Sequence, residues 1–79
     1  MKYLQSDPDT MGGDLVIRGT RVPIDEVLHL LVEQGKSVAD IHELYPWVDE
    51  NVIKSAISEV LTEAIRLLSQ LHNLTEQED

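Results

Sequence analysis

The chain has no cysteine, only six lysines and arginines against fifteen acids, and no apolar run approaching a membrane span. The missing cysteine excludes disulfides, thiolate metal sites, thiol nucleophiles and redox exchange, and fits a reducing compartment, so a cytoplasmic location is expected. The shortage of bases leaves a net charge of -9, with only Glu76, Glu78 and Asp79 of the acids in the final stretch. An acidic body repels polyanions, which disfavours sequence-independent binding to nucleic acid. Met1-Lys2-Tyr3-Leu4 leads into polar residues rather than a secretory apolar core, so nothing addresses the chain to a membrane. With 79 residues there is room for one domain, expected over residues 1–75 with a disordered acidic tail at 76–79. A core of this size is marginal, and a second subunit is a common supplement.

What is present falls into two patterns. Up to Asp14 the chain is rich in Asp, Gly, Pro and Ser and reads as an irregular entry with turns, apart from Tyr3 to Gln5. Leu15-Val16-Ile17 and Arg21-Val22 flank Arg18-Gly19-Thr20. Gly19 can supply a positive-φ turn and Pro23 forces Val22 to be extended, so one short hairpin or strand-turn is expected.

From Ile24 the apolar period becomes helical. Ile24, Val27, Leu28, Leu31 and Val32 form one stripe, and Gly35 ends the helix. Ser37 and Asp40 make a capping box for a second helix carrying Val38, Ile41, Leu44 and Tyr45, which Pro46 terminates. Asp49 is a good N-cap for a third helix, with Val48 and Ile53 spaced as a hydrophobic staple. That third helix has no Gly or Pro from Asn51 onward, and Ile53, Ile57, Val60, Ala64, Leu67, Leu71 and Leu74 recur with alternating spacings of four and three. This is a coiled-coil seam. A second stripe of Val52, Ala56, Leu61, Ile65 and Leu68 lies beside it, giving a face wider than a small three-helix core can cover. The half beyond about Val60 is expected to meet another chain. No internal repeat or low-complexity segment is visible.

The fold class is therefore mainly α: a three-helix, homeodomain-like helix-turn-helix core with a short N-terminal β element and an extended C-terminal helix. Its chemistry suits duplex DNA poorly. The N-terminal turn of the third helix, which would meet base edges, carries Asp49 and Glu50, leaving Asn51 and Lys54 as the possible DNA contacts. The one local basic site is the Arg18-Gly19-Thr20-Arg21 turn, where two guanidinium forks could bind a carboxylate or phosphate bidentately. The plainer reading pairs both arginines with Asp14, Asp25 or Glu26 to fix the turn onto the first helix. His29, His42 and His72 lack metal-ligand spacing, and Asp7, Asp9 and Asp14 do not make a calcium loop. Trp47 is expected to plug the gap between the second and third helices. No nucleophile-base pair, phosphate loop or nucleotide fingerprint occurs, so no catalytic residue, metal, cofactor or small-molecule ligand is expected.

The string Gly12-Gly13-Asp14-Leu15-Val16-Ile17-Arg18-Gly19-Thr20-Arg21-Val22-Pro23, followed by a helix to Gly35, then Ser37, Tyr45-Pro46 and the third helix, strongly resembles the bacterial family called domain of unknown function 433. The resemblance covers roughly Asp7 to Leu61. Asp14-Leu15 departs from the charged residue and proline often found there. What the resemblance implies is a homeodomain-like fold and an antitoxin of VapB type, whose gene commonly sits beside one for a PIN-like nuclease toxin.

Three functions follow. The first is a non-catalytic antitoxin-like protein that masks a PIN-like nuclease through Arg18, Thr20, Arg21, Leu67, Leu68 and Leu71. The second is a helix-turn-helix transcriptional regulator, with weak DNA binding. The third is a stand-alone structural dimer. In each, a homodimer is expected through Val60, Ala64, Leu67 and Leu71.

Overall fold

The computed structural model describes residues 1–6 and 15–77, with side chains as far as residue 73. Its elements are β1 (Leu4–Ser6), β2 (Leu15–Ile17), α1 (Ile24–Val32), α2 (Val38–Leu44) and α3 (Glu50–Gln77). The protein is mainly helical, with the short β element at its N-terminal end. The expected Gly12-Gly13-Asp14 entry and the Asp7 and Asp9 carboxylates lie outside the described residues. Among the described residues no helix is long and apolar enough to cross a membrane.

The β element differs from the hairpin read from the sequence. β2 pairs antiparallel with β1, placing Leu4 opposite Ile17 and Ser6 opposite Leu15. The Arg21-Val22 leg returns alongside β2, but contributes only the Val16–Pro23 bridge and a bond from Ile17 N–H to the Val22 carbonyl at 3.0 Å. Gly19 sits at φ +80, the positive φ that a type II turn requires at its third position, and the Thr20 N–H closes that turn on the Ile17 carbonyl at 2.9 Å.

α1 buries Ile24 and Val27, with Leu28 and Leu31 half-buried. Val32, the outermost residue of the expected stripe, is 75% exposed because it stands at the edge of that arc in the last turn. Beyond it Gly35 adopts φ +65, and the Lys36 N–H reaches back to the Leu30 carbonyl at 3.0 Å, ending the helix where expected. α2 begins with the capping box as read. The Asp40 N–H donates to Ser37 Oγ at 3.1 Å, and the Ser37 N–H donates to Asp40 Oδ2 at 3.0 Å. The backbone N–H and hydroxyl of Ser37 hold the Asp40 carboxyl below its ordinary value.

Two outcomes follow for α2. Ser37→Ala should cost about 1 kcal/mol, read as a fall in thermal midpoint. Because the Asp40 pKa is lower in the folded state, its contribution is complete above the unfolded value and disappears as pH falls through the folded one. The gap between wild type and Asp40→Asn should therefore close on acidification below about pH 4; a gap that persists there would remove the carboxylate from the cap.

α3 starts behind Asp49, whose Oδ1 accepts from the Asn51 N–H at 2.7 Å. Val48 and Ile53 are both buried, as a hydrophobic staple requires. The core gathers Leu4, Ile17, Val22, Ile24, Val27, Ile41, Val48, Ile53, Ala56 and Ile57, so every element contributes and α3 serves as the spine. Its helical span includes Glu76 and Gln77, which the sequence reading placed in a disordered tail; Glu78 and Asp79 lie outside the described residues.

Trp47 corrects another expectation. It is 68% exposed rather than plugging the inter-helix gap. Val48 takes the buried position, its carbonyl 2.7 Å from His42 Nδ1. Since a carbonyl only accepts, that nitrogen carries the proton, and the bond pins the turn with the indole outside. The Trp47 ring leans edge-on against Tyr45 at 5.7 Å. Burial, followed by the negative charge of Glu26, raises the Tyr45 phenol above its usual pKa.

Candidate partner-binding surface

The chemistry anticipated at the Arg18–Arg21 turn divides between its two arginines. Arg18 faces inward to the backbone: its Nε donates to the Lys2 carbonyl at 2.9 Å, and one terminal nitrogen donates to the Met1 carbonyl at 2.7 Å and the Leu4 carbonyl at 3.2 Å. Its N–H also bonds the Tyr3 carbonyl at 2.8 Å. A strand without a second neighbour leaves such carbonyls open, and the guanidinium fork satisfies them while tying the N-terminal segment to β2. Arg18 is thus a structural clamp whose side-chain partners among the described residues are backbone carbonyls rather than Asp25 or Glu26, while Asp14 lies outside the described residues. Thr20 is also engaged: its hydroxyl donates to the Ile17 carbonyl at 2.7 Å and accepts from the Val22 N–H at 3.1 Å. Arg21 is exposed as well, but has no side-chain partner among the described residues.

The same N-terminal segment is fastened from the other side by Glu59 of α3. Its Oε2 accepts from the Tyr3 N–H at 2.8 Å, while the buried Oε1 has no partner among the described residues. Asn51 and Lys54 are exposed on the first turns of α3, lining one shallow groove with Val38 and Glu50. Glu50 lines the same groove, so the lysine there has a carboxylate in its surroundings. Among the described residues no group of three or more His, Asp or Glu converges on a common point.

The largest unfilled feature is α3 itself. It has 28 residues, about 42 Å of helix, and only its first part packs on the body. Ile53, Ala56 and Ile57 are buried and Val60 is half-buried, whereas Leu61, Ile65, Leu67, Leu68 and Leu71 are each 53–65% exposed. Helical spacing continues the core-facing line directly into Ala64, Leu67 and Leu71, with Leu61, Ile65 and Leu68 on its flank. The structure therefore places Leu67, Leu68 and Leu71 together on a protruding apolar face, with Ala64 on the same line and Val60 at its root. It adds Leu61 and Ile65, which the second stripe contained but the expected interface omitted. From Val60 to Asn73 the only formal charges are Glu63 and Arg66, which pair with each other at 2.6 Å. This apolar, nearly neutral face protruding from an acidic body is the candidate surface of the chain.

A family model described as protein of unknown function (DUF433) matches residues 4–59. The chain belongs to this family. The matched span runs from β1 to Glu59, so the DUF433 region coincides with the packed body and ends where α3 leaves it. A similar curated protein is the uncharacterized protein y4eO of Sinorhizobium fredii (strain NBRC 101917 / NGR234), 40% identical over 55 residues. That alignment covers 70% of this chain and 24% of y4eO, so the chain spans about a quarter of its relative's length. No solved structure gives a significant match.

Proposed function

We propose that this protein is a non-catalytic, antitoxin-like binding module of a bacterial type II toxin–antitoxin pair, which engages a PIN-like nuclease through the free half of α3. The observation that carries the binding role is the run of exposed leucines and isoleucine between Leu61 and Leu71. An amphipathic helix with anchors at this spacing lays its apolar face into a groove on a partner. The choice of nuclease rests on the family resemblance. Arg21 supplies a guanidinium fork with no side-chain partner among the described residues, suited to a carboxylate on that partner. Arg18 and Thr20 act indirectly, by holding the turn that presents it.

The reading requires a PIN-like nuclease gene adjacent to this one, and co-expression of the two products tests it. The two should co-purify, and Leu68→Asp should weaken the complex at least tenfold, since a carboxylate carried into an apolar groove stays unpaired. Helicity should be unchanged, because Leu68 is 64% exposed in the free chain. Co-purification unaffected by Leu68→Asp would remove α3 from the interface, and no complex with the adjacent nuclease would overturn the function.

A further inference from the structure

We infer that the exposed face of α3 pairs antiparallel with the same face of a second copy, Val60 lying opposite Leu71 of the partner subunit and Ala64 opposite Leu67 of the partner subunit. This goes beyond the nuclease reading and stands without it; because both use Leu68 and its neighbours, self-pairing and nuclease binding are alternative occupancies of one face. Area comes first. The four exposed leucines from Leu61 to Leu71, with Ala64 and the open part of Val60, leave about 500 Å² in solvent per copy, so joining two faces removes on the order of 1,000 Å², the scale at which specific interfaces become stable. Charge permits the contact, because Glu63 and Arg66 neutralise each other on the segment that would be brought together.

Direction follows from the side chains along the seam. On its heptad, Ala64 and Leu71 are at a, Val60 and Leu67 at d, Leu61 and Leu68 at e, and Glu63 and Gln70 at g. Parallel helices bring e beside g of the neighbour, which would press Leu68 against the partner subunit's Glu63. They also stack like on like, so that Ala64 meets Ala64 of the partner subunit and leaves a gap. Antiparallel helices set e beside e and g beside g. Leu61 then lies along Leu68 of the partner subunit, and Glu63 lies along the partner's Gln70 rather than another carboxylate. Each a residue faces a d residue, so the small Ala64 receives the large Leu67, the alternation that fills a core without voids. The same direction holds the two acidic bodies at opposite ends of the paired helices, where their repulsion is weakest. A two-fold axis between Ile65 and Arg66 generates both halves of this interface. Ile65, toward the outer edge of the face, remains available to a different protein.

The cysteine-free background makes this testable on the protein alone. Light scattering at micromolar concentration should return twice 8.9 kDa. Val60→Cys and Leu71→Cys, prepared separately and then mixed under mild oxidation, should form a disulfide-linked dimer. Either variant alone should not, because in an antiparallel pair identical positions lie about 16 Å apart along the axis, beyond the roughly 7 Å a disulfide spans. Each single variant linking to itself as readily as the mixture would establish parallel helices and overturn the direction. A monomeric mass for the wild-type chain would overturn self-pairing, with no need for any variant to fold. Neither measurement involves the nuclease, so failure of the antitoxin reading would leave both results interpretable.

Discussion

Ile53→Ala should abolish most of the cooperative fold. Ile53 is fully buried where α3 meets α2, the β element and the Val48 staple, and truncating such a side chain costs about 2–5 kcal/mol in lost transfer energy and residual cavity. Domains of this size have roughly 3–5 kcal/mol in total. The expected result is loss of most of the thermal transition near room temperature, with helicity falling together with the Trp47 signal. The companion substitution is Ile65→Ala, the same change three turns further along the same helix. Ile65 is 65% exposed, and its loss should stay within about 0.5 kcal/mol. Equal losses at the two positions would contradict the division of α3 into a packed root and a free half, and with it the proposed surface.

The second large effect separates the two arginines of the β turn. Arg18→Ala removes three side-chain bonds to the carbonyls of Met1, Lys2 and Leu4 and loosens β1, whose Leu4 is a core residue. Charge-assisted bonds of this kind, partly exposed, sum to about 2 kcal/mol, which in a small domain lowers the thermal midpoint by roughly 10 °C. Arg21→Ala should leave the midpoint unchanged. The sequence alone treated the pair as equivalent; their separate engagement predicts that the Arg18→Ala, Arg21→Ala double variant melts like Arg18→Ala. For partner binding the order reverses: Arg21→Ala should weaken the complex while the fold survives. A stable Arg18→Ala protein would show that the clamp is dispensable.

The elements that the sequence announced correctly are those set by contacts within one or two turns of chain. The 3.6-residue period from Ile24, the Ser37–Asp40 box, the stop at Gly35, the break at Pro46 and the Asp49 cap are all satisfied by neighbours within a few residues. Their physical chemistry is complete in the local string, and the three helices follow from it. The width of the apolar face on α3 was legible for the same reason, because helical spacing alone shows that one small body cannot cover it.

Tertiary structure decided the rest, where the partner of a group lies far away in sequence. β2 takes β1 as its full neighbour instead of the Arg21-Val22 leg, and strand pairing depends on which distant backbone has free N–H and C=O groups. Arg18 binds carbonyls 14 to 17 residues away, and Glu59 meets Tyr3 across 56 residues. No local rule distinguishes such acceptors from a ligand. Trp47 and Val48 are adjacent apolar residues in a turn, and which one faces the core depends on how α2 and α3 close around it, as fastened by His42. The point along α3 where burial gives way to exposure was set in the same way, by how far the small body reaches along a helix whose sequence continues unchanged past it.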